Sequence, residues 1–253
     1  MKIRLYFTAL LLFSFLLAGE KNCVAQSRIP IWQIGEKDNS AAEFALAPGD
    51  YEEFLSHDFG WEDRFYLVGK STPKDDFPYI LPGPDDRWGG TSGTAGIRTH
   101  VLNILFRMKS APEKGDWKLI IDILDTHKEK PPYFKVTVNG RSWKQILPKG
   151  GGESLTGGYD KSINHRIEIP LEPGLIKKGG NKISLTNLEG SWLIFDQMVL
   201  EGPENAILEN TIGRAYLRGV ETADYQTKGN QPLLVDIEHL QGMPDVEVKV
   251  DDQ

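Results

Sequence analysis

Short runs of alternating apolar and polar residues recur along most of the chain, and turn residues separate them. Val101–Met108, Trp117–Leu124, Phe134–Val138, His165–Leu171, Lys182–Leu185 and Trp192–Leu200 are rich in β-branched and aromatic residues. Several of them keep a period of two, which places one face in a core and the other in water and predicts strands. Asn139-Gly140, Lys149–Gly152, Gly157-Gly158, Pro173-Gly174 and Gly179-Gly180 lie between the runs and predict turns, because Gly and Asn accept positive φ. Asn139-Gly140, between FKVTV and RSWKQIL, is the strongest hairpin signal. Helix signals are few. Ser40–Phe44 has the spacing of a capping box, with Ser40 as cap and Glu43 as its partner, and Asp50–Leu55 suits one short turn. Many short strands with almost no helix predict an all-β antiparallel sandwich.

The two ends of the chain follow other patterns. Lys2 and Arg4 precede the apolar run Thr8–Gly19, and Cys23-Val24-Ala25 offers small residues for a cut after Ala25. That is the layout of a signal peptide over residues 1–25, and the run is too short to span a bilayer. Secretion or a periplasmic location is therefore expected. Lys21-Asn22 stands where a lipoprotein signal carries small apolar residues, which argues against anchoring through Cys23. The sandwich is expected over residues 26–203. Beyond Pro203 the chain turns polar, then gives two more strand-like runs, Pro232–Leu240 and Val246–Val250. Two strands do not bury a core alone, so residues 204–253 are read as a linker plus a partial β module, the start of a further domain.

Composition narrows the functions. With 253 residues and 40% hydrophobic content the chain can bury a real core. A net charge of −7 gives no general attraction for a phosphate backbone, so nucleic acid is not an expected partner. One cysteine excludes a disulfide framework and a thiolate zinc cluster. His57, His100, His127, His165 and His239 stand singly, without metal-ligand spacing. No G-x-S-x-G, H-E-x-x-H or P-loop pattern occurs. The acidic pairs Glu62-Asp63, Asp75-Asp76 and Asp85-Asp86 have the residue types of a glycosidase but read better as solvated loop positions. Asp75-Asp76 and Asp85-Asp86 are also candidate ligands for a structural calcium ion; no other cofactor is expected.

A more specific pointer is an ordered set of short motifs. Ile31–Gly35 with Asp38 and Ala41–Phe44 is followed by Pro131-Pro132, Val138–Gly140, Gly150–Gly152, Gly157, Gly180-Asn181 and Gly190–Asp196. Together, over about Arg28–Pro203, they resemble the C-terminal carbohydrate-binding-like domain of rhamnogalacturonan lyases, polysaccharide lyase family 4. The resemblance implies a galactose-binding-like jelly-roll β-sandwich that serves as a non-catalytic module of exported polysaccharide-degrading enzymes. The lyases' catalytic machinery lies in a separate domain, so no catalytic residue carries over and no activity of this chain alone is expected. Expected partners are a polysaccharide or oligosaccharide and a catalytic domain. The alternatives are a small lyase or glycosidase, or a structural spacer of a larger enzyme.

Sugar rings stack their C–H faces on aromatic side chains and engage planar polar groups through their hydroxyls. Trp32, Trp117 and Trp192 lie in strand-like runs and read as core. The stretch Phe59–Gly96 holds few strand signals beyond Arg64–Val68, but carries Pro73, Pro78, Pro82, Pro84 and many aromatic and polar residues. A loop of that length in a rigid sandwich suits a ligand surface. The candidate carbohydrate-binding residues are Trp61, Tyr79, Asp86, Arg87 and Trp88. The competing role for the tryptophans is to pin the loop onto the sandwich.

Overall fold

Burial alternates along β6 and β8 as the sequence pattern requires, whereas β4, β5 and β10 are buried along nearly all their length, and two antiparallel-dominated sheets result. The structure is a computed structural model that describes residues 27–57, 59, 64–93 and 99–209, with the backbone of 215–222 and 233–239. The expected signal peptide, Trp61 and the run Val246–Val250 lie outside the described residues. Thirteen strands are described: β1 (Arg28–Gly35), β2 (Arg64–Leu67), β3 (Ile80–Leu81), β4 (Leu102–Ser110), β5 (Trp117–Thr126), β6 (Tyr133–Val138), β7 (Arg141–Ile146), β8 (His165–Leu171), β9 (Gly179–Glu189), β10 (Leu193–Pro203), β11 (Ile207–Glu209), β12 (Ala215–Thr222) and β13 (Leu233–His239).

The first sheet has the order β1-β10-β5-β8, with β3 continuing the β1 side of β10. The second has the order β11-β4-β9-β6-β7, with β2 running parallel to β4. Phe134, Val136 and Val138 of β6 and Ile167, Ile169 and Leu171 of β8 turn inward, while the residues between them face solvent or its edge. Trp32 meets Phe106 edge-on across the two sheets at 5.5 Å, and Phe77 meets Phe195 at 5.2 Å. Trp32, Trp117 and Trp192 are all buried in this core. The molecule is an all-β jelly-roll sandwich.

The Asn139-Gly140 hairpin forms as expected. Both residues have positive φ, 45° and 90°, which matches the twist of the flanking strands β6 and β7. Three expectations differ from the structure. Gly179-Gly180 opens β9 rather than a separate turn, pairing with Met108 and Arg107 of β4. Ser40–Phe44 makes no helix. Glu43 accepts from the Glu36 amide at 2.8 Å instead of returning to Ser40, whose amide is capped by Asp38. The sandwich also continues past Pro203, because β11 pairs with β4. The strand expected at Pro232–Leu240 is β13, which pairs antiparallel with β12.

Candidate functional site

The strand registers sort the connections between the two ends of the sandwich. Connections 36–63, 82–101, 127–132, 147–164 and 190–192 leave the sandwich at one end, whereas the short links 111–116, 139–140, 172–178 and 204–206 lie at the other. The three longest of these connections, 36–63, 82–101 and 147–164, therefore share one end of a rigid scaffold.

Buried carboxylates organise that end. Asp125, at the end of β5, is fully buried and accepts from the amides of Gly151 at 2.7 Å, Gly152 at 3.0 Å and Ile163 at 3.2 Å, and from the Ser154 hydroxyl. One side chain thus gathers the loop after β7. Gly151 has no room for a larger residue, since a Cβ there would land on the Lys161 carbonyl. Asp196, in β10, accepts from the Asn39 amide at 3.1 Å and holds the loop after β1. Burial pushes its carboxyl up to about 6, against the lowering pull of the Asp38 and Asn39 amides and with added repulsion from Asp122.

Asp86 does the same for the stretch that follows β3. It is buried, with one oxygen accepting from the Gly83 amide at 2.7 Å and the other from the Ser191 hydroxyl in the β9–β10 turn. Thr91 donates its hydroxyl to the carbonyls of Asp86 and Gly83, closing the loop on itself. Burial raises the Asp86 carboxyl to about 6, although its two donors pull the other way. The neighbouring Asp85 points outward and pairs with Lys130 at 2.9 Å, reaching a different loop.

Arg87 and Trp88 project from this buckle. Trp88 is half-buried, edge-on to Tyr51 at 5.2 Å and Phe54 at 5.9 Å, and Phe54 packs in turn on His100 at 5.1 Å. The tryptophan therefore joins loop 82–93 to the short turn Tyr51–Phe54 while keeping part of its surface in solvent. Arg87 is exposed and has no ion-pair partner among the described residues. It lines a cleft of about 320 Å³ together with Pro84, Asp85, Ser92, Gly93 and Lys130. The lining includes two cations and one carboxylate, a set that suits a polar ligand with planar or anionic groups.

The structure thus brings Asp86, Arg87 and Trp88 together and gives them different duties. Tyr79 stands apart. Pairing of its backbone with Ala45 and Phe195 draws it into the core, where it is fully buried and its hydroxyl donates to Leu155 at 2.8 Å. That burial raises its phenol far above the ordinary tyrosine range. Sequence reading missed Lys130 and Tyr51. Tyr51 carried a weak signal as an aromatic in a predicted short turn, whereas nothing local marks Lys130. The pair Asp75-Asp76 is otherwise engaged, accepting from Thr72 at 2.7 and 2.9 Å, with Asp76 also paired to Arg64 at 3.0 Å, and Glu62-Asp63 lies outside the described residues. Among the described residues no three His, Cys, Asp or Glu side chains are grouped to hold a metal ion. No helix among them is long and apolar enough to cross a membrane.

No curated protein sequence matches the chain. Among solved structures it is similar to the CBM35 from Cellvibrio japonicus Abf62, at 16% identity and a TM-score of 0.28, covering 41% of this chain and 66% of that one. It is also similar to a family 35 carbohydrate binding module from an environmental isolate, at 17% identity and 0.28, covering 44% and 69%. A third is the family GH115 4-O-methyl-α-glucuronidase BtGH115A, at 13% identity and 0.31, covering 69% of this chain but 18% of that one. Scores this low carry no argument about ligand or site. The family model "CBM-like: Polysaccharide lyase family 4, domain III" matches residues 30–200, from β1 through nearly all of β10. The chain belongs to this CBM-like family of polysaccharide lyase family 4 domain III modules.

Proposed function

We infer that the protein is an exported, non-catalytic carbohydrate-binding module that serves polysaccharide breakdown, with its ligand site at the loop end of the sandwich. Membership of a CBM-like family supports the ligand class, and the signal-peptide pattern of residues 1–25 supports export. The observation that carries the site is Arg87, an exposed guanidinium with no ion-pair partner, held over a cleft by a loop that Asp86 locks to the β9–β10 turn. Its planar fork hydrogen-bonds sugar hydroxyls or a carboxylate in two directions at once. Trp88 offers apolar surface next to Arg87 in the chain, Lys130 and Asp85 share the lining of the cleft, and Trp61, which lies outside the described residues, stays a candidate from its sequence position alone. Asp86 and Tyr79 act behind the surface, as supports. The experiment is a glycan-array screen of the exported chain, with hits confirmed by calorimetry. Binding of a defined oligosaccharide supports the reading, and an empty array with a folded protein refutes it. Release of reducing ends or unsaturated uronate from such glycans by the purified chain would refute the non-catalytic assignment.

A further inference from the structure

The two outer faces of the sandwich treat charge differently. On the first sheet the charges form a closed ladder. Lys118 pairs with Glu168 at 2.8 Å, Glu168 with Arg166 at 3.0 Å, Arg166 with Asp122 at 3.2 Å, and Asp122 with Lys37 at 3.0 Å. On the second sheet Lys135 of β6, Lys144 of β7 and Lys182 of β9 face solvent, and none has a carboxylate partner among the described residues. Lys135 and Lys144 are direct cross-strand neighbours. Like charges directly opposite each other destabilise a sheet, so the pair is a local cost that nothing in the chain offsets. Glu189 shares the face but sits a row away, opposite Tyr133, outside ion-pair distance of any lysine.

What surrounds the lysines resembles a ligand surface more than a merely solvated one. Thr137 and Ser142 form the next cross-strand pair, their hydroxyls 2.8 Å apart, and Ser184 flanks Thr137 on β9 while donating to Asn103 at 2.6 Å. Thr186, beside Lys135 on the β9 side, has a buried hydroxyl with no hydrogen-bond partner. Tyr133 and Ile146, which is 73% exposed, supply apolar surface in the row on the other side. Lys182 lies level with Asn139, four residues along from Lys135, which is roughly 13 Å at strand spacing. That is too far for a single sugar ring to bridge.

We propose that this outer face of the second sheet is a second carbohydrate site, distinct from the loop-end cleft, that takes a chain carrying anionic substituents, carboxylate or sulfate, along Lys135, Lys144 and Lys182. It rests on the reading of the protein as a carbohydrate binder. Three cations spread over such a distance match a glycan that carries anions on successive sugar rings. They do not match a nucleic acid duplex, which carries about one charge per 1.7 Å.

The test measures binding of the full chain to polygalacturonate, dextran sulfate, unsubstituted dextran and a short DNA duplex, at low and high salt. Expected is binding to one of the two anionic glycans that weakens with salt, with dextran and DNA bound far more weakly. The Lys135→Gln, Lys144→Gln double variant loses about tenfold in affinity for that polymer, and its melting temperature does not fall. Lys135→Glu, which builds an attractive pair with Lys144, melts no lower and loses more. The double variant retains any oligosaccharide binding at the loop end. Anionic-glycan affinity unchanged in the variants, or DNA bound as tightly as the glycan, overturns the proposal. Binding of neutral oligosaccharides alone overturns it and leaves the loop-end reading standing, whereas no carbohydrate binding at all overturns both.

Discussion

Replacing Asp125 by alanine is the sharpest structural perturbation available, because a single buried carboxylate gathers the loop after β7. Four donors converge on it: the amides of Gly151, Gly152 and Ile163, and the Ser154 hydroxyl. Hydrogen bonds to a charged group contribute about 1.5–3 kcal/mol each, but burying the carboxylate costs several kcal/mol in return. The net loss on truncation is therefore roughly 3–5 kcal/mol, with the four donors left unpaired unless water enters. For a sandwich of this size about 2–4 °C accompanies each kcal/mol, so the melting temperature should fall by roughly 10 °C. Urea titration followed by tryptophan fluorescence gives the free energy, and hydrogen exchange shows whether residues 150–163 lose protection first. Asp125→Asn keeps one acceptor oxygen and should recover part of the loss. A change below about 1 kcal/mol, or exchange that spares residues 150–163, would refute this account of the loop.

Stability should fall as pH rises from about 4 to about 6. Asp86 and Asp196 hold their protons up to about 6 in the folded state, whereas the unfolded chain releases them near the ordinary carboxylate value, so the folded state binds more protons across that window. For Asp86 the slope integrates to roughly 2–3 kcal/mol, and Asp86→Asn should flatten the urea-derived stability curve there. Trp88→Ala removes a half-buried ring wedged on Tyr51 and Phe54 and should cost about 2–3 kcal/mol, seen in thermal melts and in faster hydrogen exchange over residues 51–57. Arg87→Ala, at an exposed residue without an ion pair, should leave stability within about 0.5 kcal/mol.

The strands β6 and β8 were legible in the sequence as alternating runs, and β4, β5 and β10 as longer apolar runs bounded by turn residues. β3 and β11 were not, because two or three residues carry no period; long-range pairing with β10 and β4 defines them. The same reasoning explains the site. Asp85 and Asp86 look equivalent along the chain, but one meets Lys130 and the other Ser191, each far away in sequence. Tyr79 sits in a loop-rich stretch, yet its backbone is held to Ala45 and Phe195, and that tertiary pairing buries it. The glycines of Gly150–Gly152 mark a motif, but only the packing shows that Lys161 leaves no space at Gly151. Exposure of Arg87 fits its residue type, whereas its lack of an ion-pair partner among the described residues emerges only from the fold.

Calorimetric titration of an array-identified oligosaccharide into wild-type protein and Arg87→Ala, with thermal melts of both, tests the loop-end site most directly. Loss of a hydrogen bond from a charged donor is worth about 1.5–3 kcal/mol, so affinity should fall by roughly ten- to a hundredfold while the melting temperature holds. Equal affinity in the two proteins, or a loss that tracks unfolding, would contradict the assignment of the glycan site to this cleft.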